Sequence, residues 1–209
     1  DHRDLHSFPT RRSSDLLDFQ TIVSREINPV WPAVVTVGAI HGGTKHNIIP
    51  EEVDMKLTLR FFSDEVYKQI INSLTRICNG QAAAAGVPAD RMPVITLGRE
   101  FTPPVINDPG LVTMATASMG SILGAESVAR VDPATVAEDF GKYGRTEENV
   151  KIALFWLGGV NQVRYDESIS AGTMIPALHS SNFLPDFTPA YTTGVAAMAR
   201  VMIDLFNGK

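Results

Sequence analysis

One stretch of the chain, residues 34–62, limits the possible folds more than any other. It holds two runs of alternating apolar residues, first Val35, Val37 and Ala39 and then Val53, Met55, Leu57 and Leu59. The loop between the runs opens with Gly42-Gly43 and closes with Pro50. Alternation with a period of two is typical of half-buried strands, and glycine with proline between two such runs is typical of a hairpin. The stretch therefore predicts a two-stranded antiparallel hairpin.

Two polar residues of this hairpin are candidates for binding a ligand. Asn47 lies in the loop, and Arg60 lies at the end of the second strand. A guanidinium offers a planar fork of donors and a side-chain amide adds a neutral donor, which together suit a carboxylate. Both residues also have an explanation without a ligand, because asparagine favours turns and an edge arginine can simply be solvated. The pattern alone leaves both interpretations open.

Three motifs follow one another along the chain. The hairpin reads GxIxGGxxxNxIPxxVxxxxxxR from Gly38 to Arg60, Glu138-Asp139-Phe140 comes next, and HSxxF spans residues 179–183. In this order they resemble the M20 family of metal-dependent amidohydrolases and peptidases, especially the branch that hydrolyses N-acyl amino acids. Three ordered motifs make a specific match, whereas one alone would be weak. Val136 and Ala137 depart from the Gly and Ser that relatives often carry before the acidic pair.

The resemblance implies a role for each motif. Asn47 and Arg60 would grip the substrate carboxylate as a lid domain closes. His179 would bind one of two divalent metal ions, zinc or manganese. Glu138 and Asp139 would border the cleft, where one of them would orient a metal ligand or a donor; they are equally well explained as favourable charges at a helix N-terminus. His41 and His46 are assigned to no metal.

The resemblance also implies a reaction, in which metal-bound water attacks the amide of an N-acyl amino acid or of a similar small, peptide-like amide with a free carboxylate. In the family the general base and most metal ligands precede the lid. We therefore expect this chain to contain no catalytic base, to bind metal weakly at most and to be inactive alone. The alternatives are a dipeptidase or aminoacylase of the same superfamily, and a non-catalytic dimerisation or ligand-binding module.

Residues 1–16 differ from the rest of the chain. The segment DHRDLHSFPTRRSSDL has no apolar periodicity, and its three acids balance its three arginines, so the net charge of −5 belongs to the remaining residues. It is similar, residue for residue, to the translation of a common DNA-sequencing adapter, and it has the character of neither a secretion signal nor a transit peptide. We predict a non-native artefact without ordered structure, which would make the chain a C-terminal fragment.

The remaining pattern predicts an α/β protein of two parts. A helix at 17–26, the hairpin, a helix after Ser63 and a strand at 92–97 make a ferredoxin-like α+β lid that lacks its first strand. We expect this lid over residues 17–103 and, as in many relatives, a homodimer formed through it. Residues 104–209 predict the C-terminal half of a metallopeptidase-like α/β catalytic domain, with helices at 111–123 and 186–207 and a strand at 151–157.

Composition narrows the function further. A mildly acidic chain without a basic stripe argues against nucleic acid as the partner. No apolar run approaches the roughly 20 residues of a membrane span. The single cysteine, Cys78, lies on an apolar helical face and cannot form an internal disulfide, so the compartment, cytoplasmic or periplasmic, stays open.

Overall fold

The computed structural model of the chain describes residues 2–7, 12–98, 101–136 and 138–208. These residues form two compact units. The first unit comprises Asp1–Ile106 and Pro133–Val150, and the second comprises Asn107–Asp132 and Lys151–Lys209. The change of unit after residue 106 lies close to the boundary predicted after residue 103, whereas the return of residues 133–150 to the first unit has no counterpart in the sequence pattern.

A four-stranded antiparallel sheet organises the first unit, with strand order β2-β3-β1-β4. Two helices alternate with the strands, and the first of them continues into a π-helical turn at Ile22–Glu26. This arrangement is a complete ferredoxin-like βαββαβ unit. In chain order the elements are β1 His2–Ser7, α1 Arg12–Thr21, β2 Ala33–Gly42, β3 Val53–Phe61, α2 Asp64–Ala84 and β4 Val94–Leu97.

The prediction that this unit lacks its first strand is wrong, as is the prediction that residues 1–16 contain no ordered element. Strand β1 lies between β3 and β4, where Leu5 is opposite both Met55 and Ile95, and α1 begins at Arg12. The six residues of β1 include neither proline nor glycine, so each can donate and accept the ladder hydrogen bonds that β3 and β4 would otherwise leave unpaired. Asp1 and residues 8–11 lie outside the described residues, and the origin of the segment stays a prediction.

The core of the first unit lies between one face of the sheet and the two helices. Burial alternates along β3, whose Val53, Met55, Leu57 and Leu59 are buried, as the sequence predicted. Helix α2 begins at Ser63, whose hydroxyl accepts a hydrogen bond from the backbone N–H of Val66 at 3.3 Å. The helical residues that complete the core are Phe19, Ile22, Val66, Ile70, Leu74, Ile77 and Cys78.

The described part of the second unit contains three α-helices, α3 Pro109–Leu123, α4 Gln162–Ala171 and α5 Phe187–Phe206. Its small core joins α3 to α5 through Ala115, Met119 and Ala197. Beside it the hydroxyl of Ser118 donates to the buried carboxylate of Asp204 at 2.8 Å, and Arg200 donates to the same oxygen at 2.9 Å. Hydrogen bonds from both partners offset the cost of burying that charge.

The strand predicted at residues 151–157 is not formed. Within the described part of the second unit this segment is irregular and belongs to no sheet. Its backbone partners come instead from residues 107 and 108, since Asp108 N donates to Ile152 O at 2.8 Å and Asn107 bonds Leu154 through its side chain. An apolar run alone does not distinguish a paired strand from an irregular segment held this way.

Among the described residues no helix combines the length and the apolar character needed to cross a membrane.

Candidate carboxylate-binding site and histidine loop

The structure places Asn47 and Arg60 at opposite ends of the hairpin. Asn47 is exposed in the loop that joins Gly42 to Val53, whereas Arg60 is opposite Val34 at the other end of β3. Arg60 lies seven positions after Val53, which corresponds to about 24 Å along an antiparallel strand. The predicted pair is therefore not brought together within one chain.

Arg60 is partly buried and contacts the segment that returns to the first unit. Its Nη1 donates to the backbone carbonyl of Thr135 at 2.7 Å. No carboxylate among the described residues forms an ion pair with this guanidinium. A neutral carbonyl accepts a weaker hydrogen bond than a carboxylate does, so Arg60 retains capacity to bind an anion.

A second arginine, Arg145, anchors the far part of the same segment, Pro133–Val150, which we call the strap. Its two terminal nitrogens donate to the two carboxylate oxygens of Asp64 at 2.9 and 3.0 Å, and its guanidinium lies 5.9 Å from the ring centroid of Phe101. The hydrogen bond from Arg145 holds the pKa of Asp64 below its ordinary value, with a smaller contribution from the charge of Lys68. The sequence does not predict this pair, because the two residues are 81 positions apart.

Glu138 and Asp139 begin a short three-ten helix, Asp139–Arg145, in the strap. Glu138 is its N-cap, and its Oε1 accepts a hydrogen bond from the backbone N–H of Phe140 at 3.2 Å. This geometry confirms the alternative interpretation, in which the acids favour a helix start. It leaves Asp139 exposed and leaves any further role of the two carboxylates as a prediction. Ala137 lies outside the described residues.

His179 lies in the second unit, in the loop between α4 and α5. Its side chain is exposed, and its φ of 68° places its backbone in the left-handed region. His179 lies inside the first of two consecutive turns, in which Ser180 N donates to Ala177 O and Phe183 N donates to Ser180 O, both at 3.0 Å. A non-glycine residue held at positive φ is uncommon outside constrained loops, so these turns constrain the backbone that carries the imidazole.

No metal centre is formed by the described residues alone. They contain no group of three or more His, Cys, Asp or Glu side chains that could hold an ion. His41, at the end of β2, and His46, in the hairpin loop, are both exposed. His179 therefore belongs to no group of three metal-ligating side chains among the described residues.

Comparison with known proteins identifies a domain family within the first unit. Residues 4–85 match the family M20_dimer, the peptidase dimerisation domain. The chain is 35% identical over 141 residues to the N-acetyldiaminopimelate deacetylase of Streptococcus thermophilus (strain CNRZ 1066), a match that covers 66% of this chain and 35% of that protein. It is 31% identical over 131 residues to the IAA-amino acid hydrolase ILR1-like 4 of Arabidopsis thaliana, covering 63% of this chain and 30% of that protein.

A solved structure extends the likeness to the whole fold. The YXEP protein of Bacillus subtilis, described as a dinuclear metal binding peptidase from the M20 family, superimposes with a TM-score of 0.69 at 18% identity, over 98% of this chain and 49% of that one. At this identity the likeness shows the mixed α/β fold. The chain spans about half of this structure and a third of the curated relatives above. On these matches the chain carries, at residues 4–85, the peptidase dimerisation domain of the M20 family.

Proposed function

We propose that this chain serves metal-dependent hydrolysis of the amide bond of an N-acyl amino acid or a related amide that bears a free carboxylate. The observation that carries the proposal is Arg60, a partly buried guanidinium on β3 with a carbonyl but no carboxylate as its partner among the described residues. The names of the two relatives, a deacetylase of an N-acetylated amino acid and a hydrolase of amino acid conjugates, favour this substrate class.

The chemistry of Arg60 suits recognition of the substrate's acid group. A guanidinium binds a carboxylate through two parallel N–H donors, and such charge-assisted hydrogen bonds contribute more than neutral ones. The bond to the Thr135 carbonyl uses Nη1 and restricts the orientation of the fork. A fork oriented before the ligand arrives loses less side-chain entropy on binding.

Metal binding by this protein is a separate proposal. The described residues do not fit a two-metal site by themselves, so no chemical step is assigned here to a metal held by them. The solved relative is described as a dinuclear metal-binding peptidase, which supports divalent metals as the cofactor. We propose two divalent ions, zinc or manganese, with His179 as one imidazole ligand and the other ligands outside the described residues.

A homodimer would bring Asn47 and Arg60 into one site. Strand β2 lies at an edge of the sheet, and the dimerisation domain matched at residues 4–85 supports assembly through this unit. Antiparallel pairing of β2 with its symmetry mate about a two-fold axis would place the Gly42 end of one strand beside the Ala33 end of the other. The loop that carries Asn47 of one subunit would then approach Arg60 of the partner subunit.

Mixing two variants that are each impaired in substrate binding tests this arrangement in a version of the protein extended upstream in its gene. A mixture of Asn47→Ala and Arg60→Ala subunits forms dimers in which one site has both residues only if they come from different subunits. Random association then restores about a quarter of the wild-type activity toward an N-acetyl amino acid. Activity no higher than that of either variant alone would show that the residues do not act across a dimer.

Substrate preference distinguishes the main proposal from the alternatives. An N-acyl amino acid hydrolase should prefer the free acid to the corresponding carboxamide, and Arg60→Ala should remove that preference. A dipeptidase of the same superfamily should cleave unblocked dipeptides faster than the acetyl amide. An aminoacylase of that superfamily should cleave amides with longer acyl groups in place of the acetyl group. A non-catalytic dimerisation or ligand-binding module would dimerise and bind the acid but show no turnover in the extended protein.

A further inference from the structure

The strap is attached to the first unit at three points. Near its start, the carbonyl of Thr135 accepts a hydrogen bond from Arg60. In its middle, Gly141 is buried against the backbone of residues 103 and 104. Toward its end, Arg145 forms the two hydrogen bonds with Asp64. Glu138 and Asp139 lie between the first two of these points.

The pair of Asp64 and Arg145 has the geometry of a specific contact. Both terminal nitrogens of the arginine are used, each by a different carboxylate oxygen, so the guanidinium plane is fixed relative to the start of α2. The same guanidinium lies over the ring of Phe101, which stacks on Phe61 with the ring centroids 6.1 Å apart and is tilted against Tyr67 with the centroids 5.4 Å apart. The carboxylate occupies the first turn of α2, where the helix dipole favours a negative charge.

The middle contact explains why the strap can approach so closely. A Cβ built on Gly141 would lie 2.8 Å from the carbonyl oxygens of both Pro103 and Pro104. Backbone atoms cannot move aside as a side chain can, so the strap reaches this position only with glycine at residue 141.

From these contacts we propose that Asp64 and Arg145 form a latch that positions the strap, and with it Glu138 and Asp139, on the first unit. Both are positioning residues: they act on the two acids through the three-ten helix Asp139–Arg145, at whose end Arg145 lies. The latch goes beyond the proposed function and does not depend on the substrate or the metal.

Hydrogen exchange on the 209-residue chain tests the latch through a double-substitution cycle with Asp64→Asn, Arg145→Gln and both together. Each single variant should speed exchange of the strap amides at residues 139–150 by roughly two- to fivefold, the scale of a well-formed surface ion pair. The double variant should exchange no faster than the single ones, because either substitution alone already opens the latch. High salt should speed exchange in the wild type but not in the variants.

Two comparisons distinguish the latch from a general loss of stability. Exchange in β3, residues 53–61, should be unchanged in all variants. Lys151→Met removes the exposed ion pair of Lys151 with Asp108, 3.6 Å apart in the second unit, and should leave the strap unaffected. Arg145→Lys keeps the charge but loses the fork, so its strap amides should exchange at a rate between those of the wild type and Arg145→Gln. Any of three results would overturn the proposal. These are effects of the two substitutions that multiply in the double variant, strap exchange in the single variants that matches the wild type, and acceleration in β3 equal to that in the strap.

Discussion

The side-chain amide of Asn107 pairs with the backbone of Leu154 as a neighbouring strand would. Its Nδ2 donates to Leu154 O and its Oδ1 accepts from Leu154 N, both at 2.8 Å. One side chain thus satisfies both main-chain groups of a residue in a segment without a strand partner.

Asn107→Ala should therefore lower the free energy of unfolding by about 1 to 2 kcal/mol, since it removes two hydrogen bonds. Asn107→Asp should cost a similar amount, because a carboxylate cannot donate to Leu154 O. Urea denaturation measures both, with the exposed Asn182→Ala as the matched control. Equal midpoints for Asn107→Ala and the control would contradict the proposed pairing.

Glu26 should make stability depend on pH. Its carboxylate accepts a hydrogen bond from the Ser73 hydroxyl at 2.5 Å and pairs with Arg76, and these contacts, that of Ser73 foremost, hold its pKa below 4.5. Because the folded pKa is the lower one, the stabilisation is fully present above the unfolded pKa and is lost as pH falls through the folded value. Glu26→Gln should thus be less stable than wild type at pH 7, by on the order of 1 kcal/mol, and the difference should shrink below pH ~4. Denaturation curves recorded across this range provide the measurement, with Glu51→Gln in the exposed hairpin loop as the matched control.

Arg60→Ala in the extended protein should raise KM for carboxylate-bearing substrates by the loss of a charge-assisted contact of roughly 1.5 to 3 kcal/mol. Arg60→Lys should recover only part of this, because a lysine lacks the planar fork. Steady-state kinetics with a free acid and its carboxamide provide the measurement. Unchanged KM and kcat in both variants would remove Arg60 from substrate binding.

Two helical glycines should respond differently to alanine. At Gly80 in α2 an added Cβ meets nothing within 4 Å, so Gly80→Ala should stabilise the protein by about 0.5 to 1 kcal/mol. At Gly194 in α5 the Cβ would lie 2.8 Å from the Leu157 side chain, which must rotate away. Gly194→Ala should therefore stabilise less than Gly80→Ala in thermal denaturation. An equal or larger gain at Gly194 would mean that Leu157 moves at no cost.

The 209-residue chain should hold no stoichiometric metal and should not turn over N-acyl amino acids, because one imidazole does not retain a divalent ion against water at ordinary concentrations. Metal analysis after dialysis against zinc or manganese, and an assay with several N-acyl amino acids, check this. In the extended protein, by contrast, His179→Ala should lower both metal content and activity. Turnover by the chain alone would show that its own residues complete the site.

The elements with strong periodicity were predictable from sequence. The buried residues of β3 and the face of α2 from Val66 to Cys78 follow the period of their element, and the bounds of α3 and α5 lie within two residues of the predicted 111–123 and 186–207. Helix α4 was missed because none of its residues is buried, so it has no apolar face to reveal it. Strand β1 was missed because its place depends on backbone pairing with β3 and β4, which composition does not report.

The candidate site was predictable in its residue types but not in its geometry. Motifs identified Asn47, Arg60 and His179, yet nothing in the spacing of residues 47 and 60 shows that a full strand length separates them. Likewise, the exposed apolar residues of α5, among them Tyr191, Val195 and Met198, follow the periodicity of a buried face, while the helix packs through Ala197. Periodicity identifies an apolar face, but it does not say what covers that face.

The strap also determines where the gene can be cut to express one unit alone. The chain passes between its two units three times, at residues 106–107, 132–133 and 150–151, so no single cut in the gene yields either unit whole. Residues 1–106 expressed alone would leave Arg60, Asp64 and the backbone at Pro103 without the segment that packs on them. Residues 107–209 would carry that segment without the residues of the first unit that bind it. To express the first unit with all of its residues, residues 1–106 must be joined by a new linker directly to Pro133–Val150.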